Sequence, residues 1–282
     1  YSFNASHSLA YAYDSLYCAY LKSHYPLEYY AVTLNLYQDD MPRTSRLINE
    51  MEYFNIKLER AKFRKSKAEY FIDREENSIY KGIQSIKYLN EEVGKFLWDI
   101  RDKNWSFGEL ITNSKGIINK TKFKILIKLN FFEEYGTPSQ LLEYYELYKK
   151  YIDRKTIKKL DSPLPLDIMA KFAGKETAKQ FGDIDNIGLI NELFSRIKTK
   201  PLAEIALVQA EQEYTGNITP LPNQPRERCI ISDIEERRKH YDITFIDLAK
   251  GNSHVFRLEK GTIKLPNLFT IVDLKRIRST PK

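Results

Sequence analysis

Cysteine and long apolar runs are scarce in this chain of 282 residues. Only Cys18 and Cys229 are present, too few for a disulfide framework and without the spacing of metal ligands. No apolar run approaches the roughly 18 residues that read as a membrane span, and no signal peptide is visible. The sequence therefore predicts a soluble, cytoplasmic protein with no membrane partner.

Catalytic and metal-binding constellations are also lacking. The four histidines have no metal-ligand spacing among them, and no P-loop or glycine-rich dinucleotide motif occurs. The one Asp-x-Asp element, Asp183-Ile-Asp185, follows Gly182 and is predicted to be a solvent-exposed turn. We therefore predict no catalytic residue, no metal site and no cofactor in this chain.

Basic residues and tyrosine are plentiful. The chain has 45 basic and 38 acidic side chains, a formal net charge of +7, and 20 tyrosines. This balance favours a polyanionic partner, although basic proteins without such a partner share it. The length allows two or three domains, each able to bury a core.

Apolar spacing predicts that about the first two thirds of the chain are mostly α-helical. Leu9, Tyr13, Leu16 and Tyr20 recur at helical spacing up to Pro26, which ends the helix. Further helices are expected over 27–37, 42–54 and, with three breaks, 81–160. Two short extended pieces, 70–73 and 77–80, precede the last of these.

The pattern changes to alternation after a proline-rich linker over 217–225. Successive strands are predicted at Cys229–Ile234, Ile243–Leu248, His254–Leu258 and Leu268–Leu274. Several short strands within about 55 residues suit a small β-barrel, of which the OB-fold is the obvious candidate. The predicted class is α+β, with a helical N-terminal part and a small C-terminal barrel.

The first 26 residues carry a specific motif in two halves. The first half comprises Phe3, Asn4, Ser6, His7, Ser8, Tyr11 and Ala12, and the second comprises Ala19, Tyr20, Lys22, Tyr25 and Pro26. Together they resemble the fingers signature of C-family replicative DNA polymerases, the bacterial or phage DNA polymerase III α subunits. The resemblance implies that a nucleotide lies beside Asn4, Ser6, His7 and Tyr11. Helix capping by Asn4 and Ser6, with Tyr11 as a packing residue, is the alternative.

The resemblance continues over most of residues 1–135. Ile79–Asn90 and Leu126–Phe132 are similar to segments that form helix-hairpin-helix pairs, which offer backbone amides to a DNA phosphate. Tyr88 and Asn90 replace the glycines of the first hairpin, and the second also lacks its glycine. Asn55 stands at a further glycine position. A lysine contact from Lys81 or Lys87 is expected to survive.

Two basic runs fall where the resemblance implies duplex contact. The expected DNA-binding residues there are Lys62, Arg64, Lys65, Lys67, Lys120, Lys122 and Lys124, with Phe63 and Phe123 interleaved. Ordinary solvated faces are the alternative. Each phosphate contact would release counterions and make binding depend on salt.

The later segments resemble the family by order and type. Glu211–Ile218 is similar to a stretch that precedes the family's OB domain, and Leu193-Phe194 could end a sliding-clamp peptide or belong to an amphipathic helix. The segment Glu235–Tyr241 is predicted to be a loop. OB-folds bind single strands through a basic groove and stacking aromatics; the candidates here are Arg237, Arg238, Lys239, Tyr241 and Phe256.

The resemblance implies four domains: the end of the fingers over 1–78, helix-hairpin-helix over 79–162, a mixed linker over 163–224 and the OB-like barrel over 225–282. The expected partners are primer-template DNA, single-stranded DNA, a dNTP and a sliding clamp. The family is a nucleotidyltransferase whose palm holds Mg²⁺ on three Asp carboxylates. No such element is found here, so the chain alone is not expected to extend a primer. A non-catalytic nucleic-acid-binding module or a protein-interaction scaffold is the alternative.

Overall fold

The computed structural model describes residues 4–197, 204–221, 223–225, 227–261 and 265–274. The chain forms two compact units. Unit 1 comprises residues 1–61, 65–98 and 208–282, and unit 2 comprises residues 62–64 and 99–207. Both helices and strands are present, which confirms the α+β class.

Up to Tyr151 the helices follow the predicted order, whereas residues 152–160, predicted as helix, contain the strand Thr156–Lys158 instead. The helices are α1 (Ala5–His24), α2 (Pro26–Leu36), α3 (Met41–Met51), α4 (Glu91–Asp99), α5 (Phe107–Asn113), α6 (Lys120–Lys128), α7 (Pro138–Tyr151), α8 (Leu166–Met169), α9 (Asn186–Ser195) and α10 (Glu204–Thr215). Single 3-10 turns lie at Glu52–Phe54, Ile83–Ser85, Lys159–Asp161 and Ala170–Phe172.

The strands form three sheets. They are β1 (Lys57–Glu59), β2 (Phe71–Asp73), β3 (Ser78–Tyr80), β4 (Thr156–Lys158), β5 (Ala173–Glu176), β6 (Gln180–Ile184), β7 (Arg228–Glu236), β8 (His240–Asp247), β9 (Ser253–Glu259) and β10 (Ile271–Asp273). Their orders are β1-β3-β2, β4-β6-β5 and β10-β7-β8-β9.

Unit 1 begins with three helices, of which α2 packs on the first sheet. Pro26 stands at the start of α2, where its missing amide has no helical partner to lose. The buried core there comes from α2, α3 and β3 and includes Tyr30, Leu34, Met51 and Ile79. Strand β3 pairs in parallel with β1 and antiparallel with β2. The extended pieces were predicted, whereas β1 was not.

Residues 81–90, predicted as helix, contain only the 3-10 turn Ile83–Ser85. Gly82 explains the difference, because a Cβ there would lie 2.4–2.7 Å from backbone atoms of residues 68–70. The Ile83 and Gln84 amides donate to the carbonyls of Lys67 and Ala68, 3.0 Å away in both cases. A neighbouring segment therefore satisfies these amides, and α4 starts only at Glu91.

Unit 2 is built around α5, α6 and α7. Capping boxes start α5 at Ser106 and α7 at Thr137. Aromatic rings fill the core, with Phe107 and Phe123 centroids 5.8 Å apart and Phe123 stacked on Phe132 at 5.2 Å.

The Asp-x-Asp element also lies in unit 2 and differs from its prediction. Both carboxylates belong to exposed residues, but Asp183 lies within strand β6 rather than in a turn. Asp185 caps α9, because its Oδ1 accepts a hydrogen bond from the Gly188 amide at 3.0 Å.

The C-terminal sheet belongs to unit 1. Its neighbouring strands all pair antiparallel, with an irregularity between Ile231 and Asp233. One face packs Ile230 and Ile246 against Val208 of α10. Among the described residues the sheet is open, and a closed OB-like barrel is not shown. The predicted loop Glu235–Tyr241 is shorter than expected, because β7 runs to Glu236 and β8 starts at His240.

Two kinds of feature are absent from the described ranges. No helix there is both long enough and apolar enough to traverse a bilayer. Nor does any group of three or more His, Cys, Asp or Glu residues in those ranges have an arrangement that could hold a metal ion.

Candidate nucleic-acid interface

The residues predicted to face a nucleotide lie at the start of α1. The Ser6 amide donates to Asn4 Oδ1 at 3.4 Å. Asn4 therefore caps the helix, as expected under the alternative in which this motif is a helix cap. The His7 ring meets the Tyr11 ring edge-on, with centroids 4.5 Å apart. Tyr11 is 61% exposed and no residue of α1 is buried. Phe3 lies outside the described residues. Nucleotide contact by this helix start is therefore a proposal.

Lys22, from the second half of the motif, has a structural role. Its Nζ lies 2.5 Å from Glu50 Oε1 and 5.8 Å from the centroid of the Tyr30 ring. Burial, together with the Glu50 carboxylate, raises the pKa of Tyr30 and keeps its hydroxyl neutral. Lys22 thus ties the C-terminal end of α1 to α2 and α3.

The first basic run begins with two paired cations in unit 2. Lys62 Nζ lies 3.4 Å from Glu133, and Arg64 Nε lies 2.9 and 2.8 Å from the two carboxylate oxygens of Glu134. Phe63 between them is buried, so it belongs to the core rather than to a stacking surface. Phosphate contact by Lys62 or Arg64 would compete with these pairs.

The same run continues with two exposed lysines in unit 1. Lys65 Nζ lies 5.9 Å from the Tyr80 ring, and Lys67 Nζ lies 5.0 Å from the Trp98 ring. Both residues are exposed. The aromatic rings attract the ammonium groups through cation–π contacts, and the exposure of both residues leaves them accessible to a polyanion.

Lys81 is buried, in contrast to its predicted place at a DNA surface. The residue is 5% exposed, and its Nζ donates to Thr215 Oγ1 at 3.0 Å and to Asn217 Oδ1. Burial lowers the pKa of Lys81 to about 8. A phosphate cannot reach this ammonium while it keeps its partners, so we leave Lys81 out of the interface. Lys87 is exposed and stays a candidate.

A second buried polar group adjoins Lys81 and was not predicted from the sequence. Glu211, 3% exposed, pairs with Arg60 at 2.5 Å and accepts a hydrogen bond from the Thr219 amide at 2.7 Å. The sequence did offer one signal, the stretch Glu211–Ile218. Its resemblance indicated where the stretch lies along the chain, but not that Glu211 is buried. This polar cluster joins the C-terminal end of α10 to β1 and β3.

Three positions where the resembled motifs have glycine adopt left-handed backbone here. The φ angles are 54° at Asn55, 70° at Tyr88 and 56° at Asn130. Asparagine tolerates this region, whereas tyrosine rarely enters it. The turns at these three positions therefore keep the backbone direction that glycine would allow, with a side chain added.

The second basic run lies on α6 and faces α7. Lys124 and Lys149 both contact Glu146, at 2.6 and 2.5 Å. Hydrogen bonds from Lys124 and Lys149 hold the pKa of Glu146 well below its usual range. Lys120 is exposed and Lys122 partly exposed, while Phe123 is buried in the core. Sequence reasoning missed Lys149, since it lies on another helix.

The basic residues of the C-terminal sheet form a short turn. Arg237 bridges Glu235 at 2.7 Å and Asp242 at 3.2 Å, whereas Arg238 and Lys239 are exposed in the turn itself. Tyr241 and Phe256 share one face of the sheet, because Tyr241 pairs with Leu258 and Ile243 with Phe256. Phe256 is 51% exposed.

Leu193 and Phe194 lie near the end of α9 in unit 2. The Phe194 ring meets the Tyr144 ring edge-on, with centroids 5.2 Å apart. Leu193 and Phe194 are both partly buried. This is the amphipathic-helix alternative. Engagement of a clamp by an extended peptide would require the helix end to unwind.

Comparison with known proteins gives one consistent name. The chain is 35% identical over 137 residues to the DNA polymerase III subunit alpha of Aquifex aeolicus, covering 47% of this chain and 12% of the relative. The same subunit of Ureaplasma parvum is 30% identical over 140 residues, covering 48% and 14%. That of Thermus aquaticus is 25% identical over 222 residues, covering 77% and 16%.

The chain matches only a small part of each relative. No family model matches the chain, and the chain spans less than a sixth of the length of the first two relatives. The resemblance inferred from the sequence motifs is nevertheless confirmed: about half of this chain is similar to α subunits of bacterial DNA polymerase III.

Proposed function

We propose that this chain is the part of a DNA polymerase III α-type replicase that handles DNA, from the end of the fingers onward. Its role is to position primer-template DNA and the incoming nucleotide during DNA replication. The similarity to α subunits carries this proposal. Because the matched part is small, polymerisation and its Mg²⁺ chemistry are proposed only for a longer enzyme in which another segment supplies the carboxylates.

The proposed duplex contacts come from exposed or partly exposed cations in both units. Lys65, Lys67 and Lys87 serve in unit 1, and Lys120 and Lys122 serve in unit 2. The left-handed turns at Tyr88 and Asn130 support a degenerate helix-hairpin-helix role for the segments around them. The start of α1 is proposed to face the incoming nucleotide, through the residues already named there.

The proposed single-strand contacts come from the C-terminal sheet, as in an OB-like module. Arg238 and Lys239 supply charge in the exposed turn, and Phe256 offers a half-exposed ring for stacking. Lys260 Nζ lies 5.2 Å from the Tyr241 ring, which adds a cation beside the second aromatic.

Fluorescence anisotropy with duplex, single-stranded and primer-template DNA across a salt series tests this function. The informative variant is Lys65→Gln/Lys67→Gln, because both side chains are exposed. Lys62 and Arg64 are unsuitable, since neutralising them breaks their pairs with Glu133 and Glu134. Lys155→Gln/Lys158→Gln is the matched control: it removes the same charge from two exposed lysines outside both basic runs.

We expect primer-template DNA to bind with a steep negative dependence of log K on log salt. Loss of two phosphate contacts should reduce that slope by about 2, at roughly 0.9 per contact. The control should keep the slope of the parent chain. Equal slopes for the two variants would reject the proposed surface, and no binding even at low salt would reject DNA handling by this chain. Primer extension by the chain alone, with Mg²⁺ present, is not expected.

A further inference from the structure

Unit 2 contains a cavity that none of the contacts above uses. It lies between the end of α5, α6 and α7 and has a volume of about 190 Å³. Its interior is lined by Ile118, Phe123, Tyr145 and Tyr148, all buried, and its mouth by the exposed residues Lys115, Lys149 and Asp153. Aromatic rings below a mouth with two lysines and one carboxylate suit a ligand with a flat ring and an anionic group.

The mouth carries more positive than negative charge. Lys149 shares Glu146 with Lys124, and Lys115 lies 3.7 Å from Asp153. Lys120 adds a further cation beside Lys149, and this neighbour lowers the pKa of Lys120. An anion bound between the lysines would relieve this repulsion, and a phosphate can accept hydrogen bonds from several ammonium groups at once.

The size of the cavity limits the ligand to one ring system. A cavity of about 150 Å³ holds benzene, whereas sites for drug-sized ligands begin at about 300 Å³. The volume of about 190 Å³ lies between these values. Lys115 also lies 5.6 Å from the Tyr148 ring, so charge and aromatic surface meet at the entrance.

We propose that this cavity binds a single nucleotide, with the base among Phe123, Tyr145 and Tyr148 and the phosphate on Lys115 and Lys149. The nucleotide is either free or an unstacked residue of a DNA strand. In the second case the inference rests on the proposed function, to which it adds a site for one extruded base.

Isothermal titration calorimetry of the full chain with dAMP tests the site, alongside deoxyadenosine, inorganic phosphate and a six-residue deoxyadenylate oligomer. We expect dAMP to bind saturably and at least tenfold more tightly than deoxyadenosine or phosphate alone. Lys149→Gln should weaken dAMP binding by about fivefold, the upper end of what an exposed charged contact contributes. Lys150→Gln should leave it within twofold, because Lys150 is also exposed on α7 but does not line the cavity.

A second variant and a second measurement guard against indirect effects. Lys115→Gln should reproduce the loss, and amide resonances of Ile118 and Tyr148 should shift with dAMP in two-dimensional NMR spectra. Tighter binding of the oligomer than of dAMP identifies a strand residue as the ligand, and the reverse identifies a free nucleotide.

The inference is overturned if phosphate binds as well as dAMP, or if Lys149→Gln and Lys150→Gln have equal effects. Primer-template binding without dAMP binding would remove this site and leave the proposed function intact. Binding of dAMP without any DNA binding would remove the proposed function and leave the site.

Discussion

Tyr88 stands where the resembled hairpin has glycine, and its backbone makes that position a direct test of strain. Its φ of 70° brings a Cβ close to the following carbonyl oxygen, which costs about 1–2 kcal/mol relative to glycine. Glycine loses about 0.5–1 kcal/mol more conformational freedom on folding. The balance of the central values favours glycine over alanine at position 88 by about 0.75 kcal/mol.

Comparing Tyr88→Gly with Tyr88→Ala isolates this backbone effect. Both variants lose the same ring, which is 70% exposed, so its remaining contacts cancel in the difference. Tyr53 supplies the matched control: it is 86% exposed and lies in the 3-10 turn Glu52–Phe54. There alanine should be favoured over glycine by about 0.5–1 kcal/mol.

Urea unfolding followed by circular dichroism measures the four variants. Both positions lie in unit 1, so all four report on the same unit. With a slope of about 2 kcal/mol per M, 1 kcal/mol moves the midpoint by about 0.5 M. A Tyr88→Ala midpoint equal to or above that of Tyr88→Gly would refute the reasoning, because the left-handed position would then carry no Cβ penalty.

Three further perturbations concern the interior of unit 1. In the parent chain, burial lowers the pKa of Lys81 to about 8. Between pH 8 and 10 the unfolded state therefore binds more protons than the folded state, and the free energy of unfolding rises with pH by about 3 kcal/mol. Lys81→Met should remove this rise. Parallel pH profiles of parent and variant would contradict this. Gly82→Ala should lower the free energy of unfolding by at least about 2 kcal/mol through overlap with the backbone of residues 68–70, whereas an unchanged urea midpoint would show that the close approach is absent. Arg60→Met should cost about 3 kcal/mol by leaving Glu211 buried without its closest cation, and adding Glu211→Gln should recover part of that loss in a double-mutant cycle.

Local signals predicted the helices well, because helix starts depend on neighbours within four residues. Asn4 accepts the capping hydrogen bond that the sequence indicated, and Ser106 and Thr137 start α5 and α7 in the same way. The helix predicted from residue 81 failed for a non-local reason. Residues 67 and 68 take over the amides of the turn at Gly82, and no periodicity within 81–90 reveals that partner.

Strand β1 was missed in the sequence for a similar reason, because what makes it a strand is a partner elsewhere in the chain. Its three residues lie in a charged stretch, and their pairing with β3 depends on a parallel register that joins Lys57 to Ser78. A strand this short has no alternation of its own to detect. The C-terminal strands are longer and alternate clearly, so their positions were predicted, while closure into a barrel was not something that alternation could decide.

Charge runs were the least predictable part of the candidate site. Arg64 finds its carboxylate 70 residues away at Glu134, and Lys81 finds its polar partners more than 130 residues away at Thr215 and Asn217. Arg64 is paired with Glu134, whereas its neighbour Lys65 is exposed. Adjacent basic residues therefore have opposite environments. The resemblance could indicate the region of contact but not which of its cations are already neutralised.

The left-handed turn at Tyr88 shows how a DNA contact could change while the backbone conformation persists. At a glycine, the amide is open to a phosphate; at Tyr88, an exposed ring is attached to the same left-handed turn. The adjoining Lys87 is exposed, and its own amide is occupied by the Tyr214 carbonyl at 2.8 Å. Under the proposed function, contact here therefore moves from backbone amides to the Lys87 ammonium. Binding then depends more on salt and less on close approach of the duplex.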